Sequence, residues 1–356
     1  MSGLADVRRY DGAVVARGRR DKLVPLAVQP RDLQVIDAVR RHKFLTAPQL
    51  LELWWPGGTP QVGRRRLKRL FLAGYLDRFR PLARRGSFPW TYQLGREGHR
   101  MLQAAGLVER GKRFEVREVY DYRYVLHELH LNAWVLAWRR MLGDRLLAWE
   151  GETQIDPPPG VRKAPHIPSD EDIVLQGLKD THAKSLRPDD LLELETSSGG
   201  CRPFLIEYDR TRRVDKNFEK FRRYDTFLCW WRQETNFADR ALPYVLFVCQ
   251  DDEHLDLFLD AADRELTGCR WSLARDDYLG RERLLFADEA AMHRQEAVVY
   301  RVPAYPPDHP AREEGENATV RGANLPSAPR RAARVATEPT GVRLDQWAWS
   351  SLGSSL

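Results

Sequence analysis

A chain of 356 residues, with 42% apolar and 30% charged residues, is long enough for two ordinary domains and polar enough to remain in water. It holds no apolar run near the ~20 residues that span a bilayer, and its basic start lacks the apolar stretch of a secretion signal, so a cytoplasmic location is expected. The net charge of +6 divides unevenly: residues 1–114 carry 24 Lys and Arg against 9 Asp and Glu, and the remainder carries 33 against 42. A basic first third joined to an acidic remainder points to a polyanion-binding module at the N-terminal end.

Residues 1–30 read as a flexible basic segment. The first element, RDLQVIDAVRRH over 31–42, repeats apolar groups at Leu33, Ile36 and Val39, which is the helical period. Thr46 then stands as an N-cap with Gln49 three residues on, the spacing of a capping box, and opens a second helix that stops at Pro56-Gly57-Gly58. Thr59 and Pro60 begin a third helix, which ends at Gly74.

Projected at 100° per residue, the third helix has two faces. Gly63, Leu67, Leu70 and Phe71 form an apolar stripe, while Gln61, Arg65, Lys68 and Arg69 point the other way, with Arg64 and Arg66 on the flanks. Such a helix suits the major groove, where Arg and Gln read base edges and other cations hold phosphates. The strand-like stretches around Tyr75–Phe79 and Trp90–Leu94 enclose a basic turn, which predicts a β-hairpin wing. Arg78, Arg80, Arg84 and Arg85 would carry it to the sugar-phosphate backbone. A helix over 96–105 closes the domain. Residues 31–110 thus read as a winged helix-turn-helix for double-stranded DNA, with Thr46 and Gln49 counted among its contacts.

From 115 a long helix carries His127, Glu128 and His130, whose spacing is not that of a zinc protease, so a structural role is expected. The four cysteines lie twenty or more residues apart and form no zinc or disulfide pattern. No phosphate-binding glycine loop occurs, and no small-molecule cofactor is indicated. A strand at 146–152, a Pro- and Gly-rich insertion, strands LLELE and PFLIEYDR, a helix over VDKNFEKFRRYDTFLCWW and the strand YVLFVC (244–249) follow in order. Further on come a helix near 252–266 and strands near 283–287 and 297–302. The overall expectation is an α+β protein: the winged helix, then an α/β restriction-endonuclease-like domain over 115–302, and a disordered tail over 303–356.

The segments "RFRP…G…PWTYQLG", "HELHLN" and "RPDDLLEL…PFLIEYDR…KNFEKFRRY", between about 31 and 250, resemble the replication-relaxation family. The resemblance implies a role in replication or DNA relaxation of a plasmid or other mobile element, and replication or mobilisation proteins as partners. In nucleases of the expected fold, paired acids on adjacent strands hold Mg²⁺ and a nearby lysine positions the attacking water. Here Asp189 and Glu207 are the candidate metal ligands, with Asp209 at the usual lysine position, so Lys216 or Lys220 would have to supply the cation. Glu128 or Glu152 would be a further carboxylate. Mg²⁺ is expected only if this site is active. Three readings stay open: a DNA-binding replication accessory, with an oligomer allowed, a Mg²⁺-dependent endonuclease, and a transcriptional repressor.

Overall fold

The computed structural model describes residues 15–81, 88–115, 122–158, 185–196, 199–210, 220–221, 223–266, 283–294, 298–302 and 342–343. The fold is α+β and divides into two compact units, residues 1–136 and 137–356. The division falls inside the helix α5 (Tyr122–Leu142). Among the described residues no helix is long and apolar enough to cross a membrane.

The first unit holds α1 (Pro30–Arg41), α2 (Ala47–Trp54), α3 (Pro60–Leu72) and α4 (Arg96–Ala104). It also holds strands β1 (Val15–Arg17), β2 (Leu45–Thr46), β3 (Leu76–Pro81) and β4 (Thr91–Leu94), in an antiparallel sheet of order β1-β3-β4-β2. Proline at the first helical turn starts α1, α2 and α3, where its missing N–H costs nothing. Helix α3 ends on Gly74 at φ +80°, the left-handed conformation that glycine adopts without strain. Val35, Ile36, Val39, Leu67, Leu70 and Phe71 fill the core at the spacing that the helical period dictates. Two elements lie outside the sequence expectation. β1 pairs with β3 within the stretch read as flexible, with Ala16 opposite Arg80, and β2 adds two residues opposite Thr91 and Tyr92.

Helices α2 and α3 cross closely at Gly63. A Cβ there would lie 2.2 Å from Leu51 Cδ2 and 2.9 Å from the Trp55 ring. Gly63→Ala gains about 1 kcal/mol of helix propensity but forces both side chains aside, at about 1–3 kcal/mol for overpacking. The variant is therefore expected to melt a few degrees below the wild type in a calorimetric scan; an equal or higher Tm would show that Leu51 and Trp55 yield freely.

The second unit is built on one mixed sheet of order β11-β10-β9-β8-β7-β6-β5. Its strands are β5 (Leu146–Trp149), β6 (Asp190–Glu195), β7 (Cys201–Tyr208), β8 (Tyr244–Cys249), β9 (Leu284–Asp288), β10 (Val298–Arg301) and β11 (Val342–Arg343). β5, β6 and β7 run antiparallel in sequence, then β8 and β9 join parallel to β7. Strands β8 and β9 are buried along their whole length, as a parallel sheet covered on both faces requires, which is why YVLFVC reads as an unbroken apolar run. One face packs on a helix α6, described at residues 220–226 apart from 222 and running into the π turn Phe227–Trp231, and on α7 (Asp252–Glu265). Phe221, Tyr224, Phe247, Phe258 and Phe286 meet there, mostly edge to face. Trp138, from the end of α5, packs edge-on against Phe204 of the opposite face. β11 falls inside the stretch expected to be disordered, and pairs with β10 at Val298 and Val299.

Candidate functional site

The exposed face of α3 carries Gln61, Arg64, Arg65, Lys68 and Arg69, and among the described residues none of its four cations is in an ion pair. The helix presents these groups because its other side is spent on Gly63, Leu67, Leu70 and Phe71. Arg66, expected on the flank, turns inward instead. Its Nε donates to Asp32 Oδ1 at 2.8 Å and Nη2 to the Ala27 carbonyl at 2.8 Å, with a further bond from Nη2 to Asp32 Oδ2. Asp32 is fully buried, and its hydrogen bond raises the Arg66 pKa.

Thr46 and Gln49, read as DNA contacts, are likewise buried and committed elsewhere. Gln49 Oε1 accepts from the Thr46 N–H at 2.8 Å, the Gln49 N–H donates to Thr46 Oγ1 at 3.4 Å, and Gln49 Nε2 donates to the Leu129 carbonyl. The capping box that announced α2 in the sequence uses up the polar atoms that a DNA contact would need.

On β3, the Arg78 guanidinium sits 4.3 Å from the Phe71 ring and 4.2 Å from the Trp90 ring, with its Nε enclosed. It fills the unit rather than extending from it. Arg80 lies 3.9 Å from the same Trp90 ring and stays half-exposed. Arg84 and Arg85 lie outside the described residues.

The histidine-bearing segment of α5 docks on the turn between α1 and α2. Lys43 there has φ +59°, a conformation costly for a side chain with a Cβ, and its Nζ donates to Glu128 Oε1 at 2.8 Å in a buried pair. Burial opposes the Glu128 charge, but His127 and Lys43 beside it hold the carboxyl below its usual range. One helical turn on, Asn132 Nδ2 donates to the carbonyls of His42 and Phe44 at 3.2 and 2.7 Å. Glu128 is thereby committed to Lys43. His42 is buried, and burial, then Arg41 and Arg40, push its pKa well below the ordinary 6.5. The sign follows: the folded form excludes the proton, so its contribution to stability is complete above pH 6.5 and is lost as pH falls below that value. The wild-type Tm should drop on acidification from pH 6.5, and His42→Gln should flatten that slope; identical slopes would exclude His42 as the cause.

In the second unit, the start of β6 and the end of β7 bring the two candidate acids side by side. The Asp189 N–H donates to the Ile206 carbonyl at 2.8 Å, and Asp189 Oδ2 accepts from the Tyr208 N–H at 2.8 Å. Glu207 is 3% exposed, and both its oxygens are occupied: Oε2 by Lys220 Nζ at 2.5 Å, Oε1 by the Tyr224 hydroxyl at 2.6 Å. Desolvation works against the Lys220 charge, but Glu207, Asp189 and Asp209 outweigh it and raise its pKa. Burial, then Glu207 and Asp189, lift the Tyr224 phenol well above 10.0. Lys216 lies outside the described residues. Tyr224 falls in an aromatic helical stripe of the sequence, where core packing is the ordinary expectation, so the sequence carries no separate signal for it.

As placed, these residues do not present a Mg²⁺ site: both Glu207 oxygens already accept a hydrogen bond, and the Lys220 ammonium stands where it would repel a cation approaching Oε2. Among the described residues no group of three or more His, Cys, Asp and Glu is arranged to hold a metal. The next residue, Asp190, is also buried and committed, accepting from Trp149 Nε1 at 2.5 Å and from the Gly151 N–H at 2.8 Å.

A family model described as replication-relaxation matches residues 36–239, more than half of the chain. No curated protein and no solved structure matches it.

Proposed function

Because the chain belongs to the replication-relaxation family, we propose that its first unit is a winged helix-turn-helix that binds double-stranded DNA during replication or relaxation of a plasmid or other mobile element. The observation that carries this reading is the exposed face of α3, where Arg64, Arg65, Lys68 and Arg69 stand in solvent without ion pairs among the described residues. Four cations and an amide on one helix face, on a core that fixes the helix, match the charge and spacing of a groove-inserted helix. β3 and β4 supply the wing, with Arg80 at its base.

The second unit is a nuclease-like fold kept for binding or assembly rather than cleavage. Support for the fold comes from the order α5, β5, β6, β7, α6, β8, and support for the lost chemistry from the occupied carboxylate of Glu207. The test is fluorescence anisotropy of a labelled duplex titrated with the full chain over a salt series, in chelator. Binding is expected to need no divalent metal and to weaken steeply with salt, because each neutralised phosphate releases a counterion. Absence of binding at low salt would overturn the reading.

A further inference from the structure

At the opposite end of the second sheet from Glu207, two guanidiniums share one aromatic ring. Arg202 stands near the start of β7, Tyr244 is the first residue of β8, and Arg283 immediately precedes β9. The register places Phe204 opposite Tyr244 and Val245 opposite Leu284, so these parallel strands begin at the same edge. Arg283 Cζ lies 4.7 Å and Arg202 Cζ 5.8 Å from the Tyr244 ring centre, and that ring stacks on Phe204.

The cations are poorly satisfied. Arg202 Nη1 donates to the Leu242 carbonyl at 3.1 Å, but its Nε is enclosed without a hydrogen-bond partner. Arg283 Nε and Nη1 are both enclosed without one. Among the described residues no carboxylate pairs with either, and the one acid on the neighbouring strand that bonds an arginine, Glu193, is taken by Arg240 at 2.8 Å. Burial, together with the field of Arg283, lowers the Arg202 pKa. Half-burying two like charges with unmade N–H bonds is unfavourable in a protein interior, and folds otherwise avoid it. Cation–π contact with Tyr244 offsets only part of that cost.

We propose that Arg202 and Arg283, set against Tyr244, form an oxyanion site for a phosphoryl group. A guanidinium fork matches the oxygens of a tetrahedral phosphate, and both cations rest against the buried Tyr244 ring. The ring itself is covered by Phe204 and the two cations, so the site takes the phosphate and not a stacked base. The phosphate could be that of a free anion or of a nucleic-acid backbone, and this inference does not depend on the reading of α3.

The test compares the full-length wild type with Arg202→Met/Arg283→Met, which keeps the side-chain stems. Thermal denaturation is followed against inorganic phosphate at constant ionic strength, with chloride as reference. The wild type is expected to show a saturable rise in Tm of a few degrees. The double variant is expected to show no such rise, and in chloride alone to melt no lower than the wild type, since it lacks two unpaired charges. A flat wild-type response, or equal responses in both proteins, would overturn the proposal. The source is separated by repeating the comparison in an Arg65→Ala/Lys68→Ala/Arg69→Ala background. Duplex binding that is further weakened by the Met changes assigns the site to backbone phosphate; unchanged duplex binding with the phosphate response intact assigns it to a free phosphoryl anion.

Discussion

Replacing Arg65, Lys68 and Arg69 together by Ala is expected to weaken duplex binding about a hundredfold to ten-thousandfold near physiological salt, with no loss of fold. The range follows from about 1–2 kcal/mol for each Arg or Lys contact to a base edge or phosphate, at 1.4 kcal/mol per factor of ten. Stability should hold because all three side chains are exposed and unpaired among the described residues. Salt dependence gives a second readout. Removing three phosphate contacts should lower the slope of log K against log salt by about 3. Arg66→Ala is the informative contrast. It strands the fully buried Asp32 carboxylate, at about 3–5 kcal/mol for a broken buried pair, and should lower the Tm sharply. Any loss of DNA binding in Arg66→Ala would then follow unfolding, whereas in the triple variant it would occur in a folded protein. Unchanged binding in the triple variant, measured on folded protein, would remove α3 as the contact surface.

The contrast between Arg65 and Arg66 also marks what a sequence can and cannot reveal here. The helical period alone divides α3 into an apolar and a basic face, because burial of Leu67 and Leu70 forces the opposite side into water. It places Arg66 on a flank but says nothing of Asp32, which lies 34 residues earlier in the chain and reaches it only in the folded unit. Thr46 and Gln49 differ in kind. Their spacing is itself a capping signal, and the same residues cannot both satisfy a helix end and reach outward. β1 was illegible for another reason: three residues before a glycine carry no alternation, and their strand exists only because β3 offers an edge. In the second unit, LLELE, PFLIEYDR and YVLFVC are readable as strands from their apolar runs. Whether the acids at their ends are open or occupied depends on Lys220 and Tyr224, one helix away. Arg202 and Arg283, separated by 80 residues, share Tyr244 only through the parallel register of β7, β8 and β9.

Glu207 decides between a catalytic and a structural second unit, and the structural outcome is the expected one. Supercoiled plasmid incubated with the wild type and Mg²⁺ should be bound without being nicked, and Asp189→Ala should leave that result unchanged. Glu207→Ala should lower stability by about 2–4 kcal/mol, because it leaves the Tyr224 hydroxyl buried without its acceptor and Lys220 without its counter-charge. The lower part of that range applies if Lys220, whose side chain is 38% exposed, can turn to solvent. Glu207→Gln should cost less, since its carbonyl still accepts from Tyr224 while its amide, a donor, faces the Lys220 ammonium. Alkaline titration separates the two parts of the site. Lys220 and Tyr224 both have raised pKa values in the fold, so the folded chain keeps protons that the unfolded chain releases. Their contribution is complete below pH 10.0 and is lost as pH climbs through the raised values. Glu207→Gln should reduce that alkaline loss by removing the charge that raises Lys220. A catalytic carboxylate predicts the reverse pattern: metal-dependent nicking abolished in Asp189→Ala and Glu207→Gln while both variants stay folded. That result would mean that Lys220 and Tyr224 release Glu207 when DNA binds, and that the occupied carboxylate is the resting state of a nuclease rather than the remnant of one.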